Sequence, residues 1–195
     1  MEIDPNADGR SMYRTLTGLI VPRPIGWIST TSADGTDNLA PYSFFNGVSI
    51  DPPVVMFAPL PRPHGHTDTA ANVRETEEFV VNVVTHEFAE AMNETSATVP
   101  ESESEFDAAE LNREPSRAVA PPRVSGIAAA LECELYELVP VGDGAAVLGE
   151  VVHVHVRDDV TTDGNVDTEK LDVVGRLAGG GYDRVTDRFE MARPD

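Results

Sequence analysis

The sequence predicts a mainly β protein, a small antiparallel barrel with a few helices at its periphery. Segments of strand composition outnumber helical ones and are joined by short turns. Two long apolar segments meet at Gly142-Asp143-Gly144, and Asp-Gly is a strong hairpin signal. The helical patterns are short and do not alternate with strands in the way that builds a doubly wound parallel sheet. With 195 residues and 41% hydrophobic side chains, residues 1–195 can form one domain with a real core.

The elements follow in order. Ser11 to Ile20 reads as a short helix with Met12, Leu16 and Leu19 on one face, ended by Val21-Pro22-Arg23-Pro24. Ile25 to Ser32 has strand composition, and Ala33-Asp34-Gly35 supplies a turn. Asn38 to Asn46 reads as the next strand, Asp51-Pro52-Pro53 as a rigid corner, and Val54 to Ala58 as a buried strand. A Pro/Gly/His loop from Leu60 to Thr67 leads to a helix over Thr69 to Thr76, with Asp68 placed to cap it. Phe79 to Val84 is a strand, and Thr85 can cap a second helix reaching Glu94. Ser96 to Pro122 is acidic and proline-punctuated, a surface wrap with a helical turn at Phe106 to Leu111 and Ser104 or Asp107 as its cap. Gly126 to Val139 and Ala145 to Val156 are the two long hairpin strands. The tail holds a glycine run and a last strand at Arg188 to Met191.

Charge narrows the partners. There are 34 acidic residues against 14 basic ones, a net charge of −20, and Lys170 is the only lysine. Nucleic acid is disfavoured, because phosphate backbones need clustered Lys and Arg. An acidic, lysine-poor surface suits a protein of concentrated salt. Cys133 is alone, so no intrachain disulfide and no thiolate metal site is implied. The acidic, polar start is unlike a signal peptide, and no apolar run approaches a membrane span, so a cytoplasmic protein is expected.

The chemical candidates are few. His153 and His155 lie two apart and face one side of a strand, but a metal needs a third ligand that the neighbouring sequence does not supply. Thr67-Asp68-Thr69 opens a helix, where free N–H groups suit phosphate, although from sequence alone plain capping is the favoured reading. Gly179-Gly180-Gly181 is a flexible turn, and neither GxGxxG nor a phosphate loop is present. No side-chain acid, base or nucleophile stands out, and no metal site. The segment Ile25 to Pro59 is more distinctive. Trp27, Ser29 and Thr31 share one face of a strand with Ile28 and Thr30 on the other, and Tyr42, Phe44 and Asn46 alternate with Ser43 and Phe45. By periodicity alone, a strand pair with an aromatic core and a polar rim is the favoured reading, with a flat, polar-edged ligand the alternative.

Several pieces together resemble the flavin reductase-like family. They are Arg23-Pro24-Ile25-Gly26-Trp27-Ile28-Ser29-Thr30, Asn38 to Asn46, Ser49-Ile50-Asp51-Pro52-Pro53, Asp68 to Thr76 leading into Glu78 to Asn82, and Gly175-Arg176-Leu177 with Tyr182 before Phe189 to Pro194. The resemblance spans most of the chain in order. It implies an FMN-binding split β-barrel, antiparallel and of Greek-key type, and a homodimer with FMN near the subunit interface. It places Tyr42, Ser43, Phe44, Phe45 and Asn46 against the flavin, with Trp27, Ser29, Thr30 and Thr31 approaching from the neighbouring strand. His66, Thr67 and Thr69 would face the phosphate. Many relatives carry a lysine where this chain has Thr67, so the phosphate charge must be met by His66, Arg62, a threonine hydroxyl or the helix terminus.

The implied activity is that of a flavin reductase. Hydride from NADH or NADPH would pass to the flavin, then to a partner flavin-dependent monooxygenase or a small acceptor. The cofactor carries such chemistry, which agrees with the lack of a catalytic side chain. An FMN-binding electron carrier without NAD(P)H activity fits the same residues, and so does an interaction protein that kept the barrel and lost the cofactor.

Overall fold

The computed structural model describes residues 2–6, 11–60, 67–100 and 103–194. Seven strands form one antiparallel sheet: β1 (Gly26–Thr31), β2 (Asp37–Tyr42), β3 (Phe45–Ile50), β4 (Pro53–Phe57), β5 (Glu78–Val83), β8 (Ala129–Val141) and β9 (Gly144–Val156). Their spatial order is β2-β1-β5-β8-β9-β4-β3. Three small ribbons complete the strands. They pair β6 (Arg113–Glu114) with β7 (Arg123–Val124), β10 (Thr161–Thr162) with β11 (Asn165–Val166), and β12 (Val174–Arg176) with β13 (Tyr182–Arg184). Four helices lie outside: α1 (Tyr13–Leu19), α2 (Asp68–Thr76), α3 (Ala89–Glu94) and α4 (Glu105–Ala108).

The order dictates the shape. β2 and β3 are the two edges of the sheet, yet only Ser43 and Phe44 connect them. In a flat sheet the edges of seven strands would stand about 29 Å apart. The connection spans at most about 11 Å. The sheet must therefore roll until its edges approach. Phe45 of β3 shows the approach, because its Cδ2 lies 2.8 Å from where a Cβ on Gly26 of β1 would sit. Expectation and structure agree on a mainly β, antiparallel architecture with few helices, open at the seam where β2 turns into β3.

Strand alternation builds two cores. Ile28, Phe57, Val73, Phe79, Val81, Cys133 and Val147 form one cluster. It joins strands that are distant in sheet order, as the concave face of a rolled sheet must. On the other face, Trp27, Leu39, Val80, Val84, Met92, Phe106 and Ile127 pack beneath α3, α4 and the wrap. β1 and β5 are thus buried on both faces; the Phe79-Val80-Val81 run foreshadows this for β5, whereas β1 also buries the polar Ser29 and Thr30.

Several expectations are corrected. The predicted strand Asn38 to Asn46 is two strands, broken at Ser43-Phe44 because the chain must cross the seam. Pro41 is tolerated inside β2 because β2 is an edge. The cap of α2 is Thr67, whose hydroxyl accepts from the Ala70 N–H, while Asp68 is already inside the first turn. The helix expected from Thr85 is a 3-10 turn, His86–Phe88, followed by the shorter α3, and Thr85 makes no side-chain cap. Ser104 caps α4 by accepting from Phe106 N–H, and Asp107 lies within the helix. No strand forms at Arg188 to Met191; the tail pairs earlier, through β12 and β13. α1 turns Leu16 and Leu19 outward and buries Thr17 instead. The Gly142-Asp143 turn is as expected, with φ +56° at Gly142.

Candidate functional site

β1, β2, α2 and α4 share a buried polar network. The Thr30 hydroxyl donates to Asn38 Oδ1 at 3.3 Å, and the Thr69 hydroxyl donates to the same oxygen at 2.7 Å. Asn72 Nδ2 donates to Thr30 Oγ1 at 3.1 Å. Asn38 Nδ2 donates to Glu105 Oε2 at 2.9 Å, which also accepts from the Leu39 N–H at 3.0 Å. Burial raises the Glu105 carboxyl above its ordinary value of 4.5. The hydrogen bonds from Leu39, Glu105's own backbone and Asn38 oppose that shift, and the Asp68 charge adds to it.

Above this network the end of β2 faces the start of α2. The Tyr42 hydroxyl donates to Thr67 Oγ1 at 3.4 Å, and the Tyr42 ring packs on Phe57 at 5.1 Å between centroids. A cavity of about 70 Å³ lies here, lined by Ala40, Tyr42, Thr67, Thr69, Thr95 and Glu105 among others. The first turn of α2 spends the Ala70 N–H on the Thr67 hydroxyl and the Ala71 N–H on the Thr67 carbonyl. The N–H groups of Asp68 and Thr69 have no acceptor among the described residues, as expected for the first turn of a helix. Two N–H groups with no acceptor among the described residues, the Thr67 hydroxyl proton and the positive helix end form a donor set suited to an anion.

The site residues expected from sequence divide into groups. Tyr42, Thr67 and Thr69 are brought together, and Thr30 joins them through Asn38. Ser43 and Phe44 form the seam; Phe44's carbonyl accepts from Ala58 N–H at 2.8 Å. Phe45 packs on Gly26, and Asn46 is exposed, accepting from Gly47 N–H. Trp27 and Ser29 point to the opposite face of the sheet. The Trp27 indole donates to Thr95 Oγ1 at 2.8 Å, and Ser29 is buried between the Pro122 carbonyl and Asn82. Thr31 bonds Asp37 at the strand end. His66 and Arg62 lie outside the described residues. His153 and His155 stand on β9 opposite Glu132 and Ala130. Among the described residues no three His, Cys, Asp or Glu side chains gather as metal ligands.

Sequence reasoning missed Asn38, Asn72, Glu105 and the buried Arg23. Glu105 is one acid among many in its segment, and nothing local marks it. Arg23 was legible only as part of the Arg-Pro-Ile-Gly-Trp piece.

The fold coincides with that of a known group. Residues 18–171 match the model of the flavin reductase like domain. The chain belongs to this family. An uncharacterized protein of Aquifex aeolicus is 43% identical over 90% of each chain. Nitrilotriacetate monooxygenase component B from Bacillus cereus superposes with a TM-score of 0.94 at 32% identity, covering 98% of both chains. The 2-nitrobenzoate 2-nitroreductase of Pseudomonas fluorescens gives 0.90 at 32% identity over 100% of this chain and 96% of its own. Membership in the flavin reductase-like family assigns flavin-related redox chemistry as the class of function.

Proposed function

We propose that the chain is an FMN-dependent oxidoreductase of flavin reductase type, taking hydride from NADH or NADPH. The observation that carries this reading is the meeting of β2 and α2. Tyr42 and Thr67 touch across the cavity, beside two helix N–H groups that have no acceptor among the described residues. FMN bound there would supply a ring that accepts hydride and releases electrons singly or in pairs.

The donor set fits a phosphate, with one reservation built into the chain. Thr67 offers a hydroxyl and no charge, while Asp68 and Glu105 bring carboxylates to the same cavity. The positive helix end must offset both. Weak FMN affinity, raised by concentrated salt that screens the carboxylates, is the expected result. The chain's own residues bind and orient. Thr67 and Tyr42 fix the helix start against the strand, and the Thr30–Asn38–Thr69 network holds both rigid.

The relatives suggest where electrons go. One neighbour is named as a monooxygenase component and another as a nitroreductase. They support a partner flavin-dependent monooxygenase or a small acceptor for this chain. A homodimer is proposed as well, because α1 exposes Tyr13, Leu16, Leu19 and Ile20 together. We place the reaction in the cytoplasm, where NADH and NADPH are made.

Anaerobic mixing of the FMN-loaded protein with NADH and with NADPH tests the reading. Bleaching of the flavin at a catalytic rate is expected with at least one of them. No bleaching, with dithionite reduction intact, would replace the enzyme by an electron carrier.

A further inference from the structure

Arg23 is a buried cation with no counter-charge among the described residues. It is 5% exposed, at the turn between α1 and β1. Nη1 donates to the carbonyls of Thr17 and Ile20, each at 2.7 Å, and Nη2 to the carbonyl of Leu177 at 3.0 Å. Nε donates to Ser43 Oγ at 3.3 Å. None of these acceptors is a carboxylate, and Arg23 joins no ion pair among the described residues. Among the described residues it is the one arginine that is buried. Burying a charge costs free energy that carbonyl dipoles only partly offset.

The Ser43 contact has a directional consequence. A hydroxyl has one proton and two lone pairs. The guanidinium takes a lone pair of Oγ, so the Ser43 proton is left to donate elsewhere. Among the described residues nothing accepts it. Ser43 is half-buried and sits at the seam, next to Tyr42, which already touches the α2 start.

Resting on the flavin reading above, we propose that Arg23 is a positioning residue for the bound flavin. It fixes the Ser43 hydroxyl as a donor toward the seam and backs that donor with positive charge. A flavin gains negative charge on reduction, so a donor of this kind favours the reduced form over the oxidised one. Arg23 also tethers α1 and the Leu177 segment. A purely structural role would weaken both redox forms alike and leave the potential unchanged.

The test is the midpoint potential of bound FMN in Ser43→Ala, Arg23→Gln, Arg23→Lys and the double variant Arg23→Gln/Ser43→Ala. The dissociation constant of oxidised FMN is measured alongside. Ser43→Ala leaves the tethers of Arg23 intact, so it reads the effect even if Arg23→Gln fails to fold. We expect Ser43→Ala to lose roughly tenfold more affinity for reduced than for oxidised flavin. For a two-electron couple this lowers the potential by about 30 mV. Arg23→Gln lowers it at least as far, Arg23→Lys less, and the double variant no further than Arg23→Gln alone. An unchanged potential in Ser43→Ala with FMN still bound overturns the proposal while the flavin reading stands. Wild-type protein that takes up no flavin overturns both.

Discussion

Glu105 ties residue-scale chemistry to pH. Its carboxyl is raised by burial, so the folded state holds the proton more tightly than the unfolded chain does. The stability it contributes is full below its ordinary value of 4.5 and is lost as pH rises through the raised value. Glu105→Gln removes that titration and keeps an oxygen for Leu39 and Asn38. The stability of Glu105→Gln relative to wild type should therefore grow from pH 4 to pH 8 in urea unfolding; a constant difference would refute the shift. Cys133 gives a second residue-scale prediction. Burial drives its thiol far above the ordinary range, with the Glu132 charge adding to it. A thiol reagent should leave it unmodified in the folded protein and react fully in denaturant. At this scale the sequence was informative where motif and contact coincide, as at Tyr42 and Thr67. It was silent on Glu105 and on its pairing with Asn38, because that bond spans 67 positions.

Among the elements, α2 depends on Thr67. Thr67→Ala removes the acceptor for Ala70 N–H and should cost about 1 kcal/mol by chemical denaturation. Serine there should restore most of it. β5, β8 and β9 meet at Gly149, where a Cβ would lie 2.2 Å from Phe79 Cζ and 3.1 Å from Cys133 Cβ. Phe79 is fully buried and cannot swing away. Gly149→Ala should cost about 1–3 kcal/mol, and a neutral result would mean the core is looser than drawn. The hairpin of β8 and β9 was legible because its turn chemistry is local. The break between β2 and β3 was not, since alternation runs unbroken through Ser43 and Phe44. Only the tertiary demand that two sheet edges meet divides the strand there. The Arg188 to Met191 segment failed for the opposite reason. Its composition suits a strand, but Phe189 and Met191 are exposed among the described residues.

For the whole molecule, net charge governs behaviour in solution. At −20, with a single lysine, self-repulsion opposes the rolled sheet unless salt screens it. Transfer from concentrated to dilute salt should unfold the protein, seen as loss of the circular-dichroism signal, whereas full retention would count against a halophilic design. The same reasoning extends to the proposed flavin site, where the Asp68 and Glu105 carboxylates would make screening part of cofactor binding. The overall β architecture was readable because the turns and strand compositions agree along the chain. The roll of the sheet follows from one short connection and needed the strand order to be seen. The most direct measurement of the central claim is the absorption spectrum of the protein purified in high salt, with any released cofactor identified. A flavin spectrum with FMN released is the predicted result. Colourless protein that takes up no added FMN would contradict it.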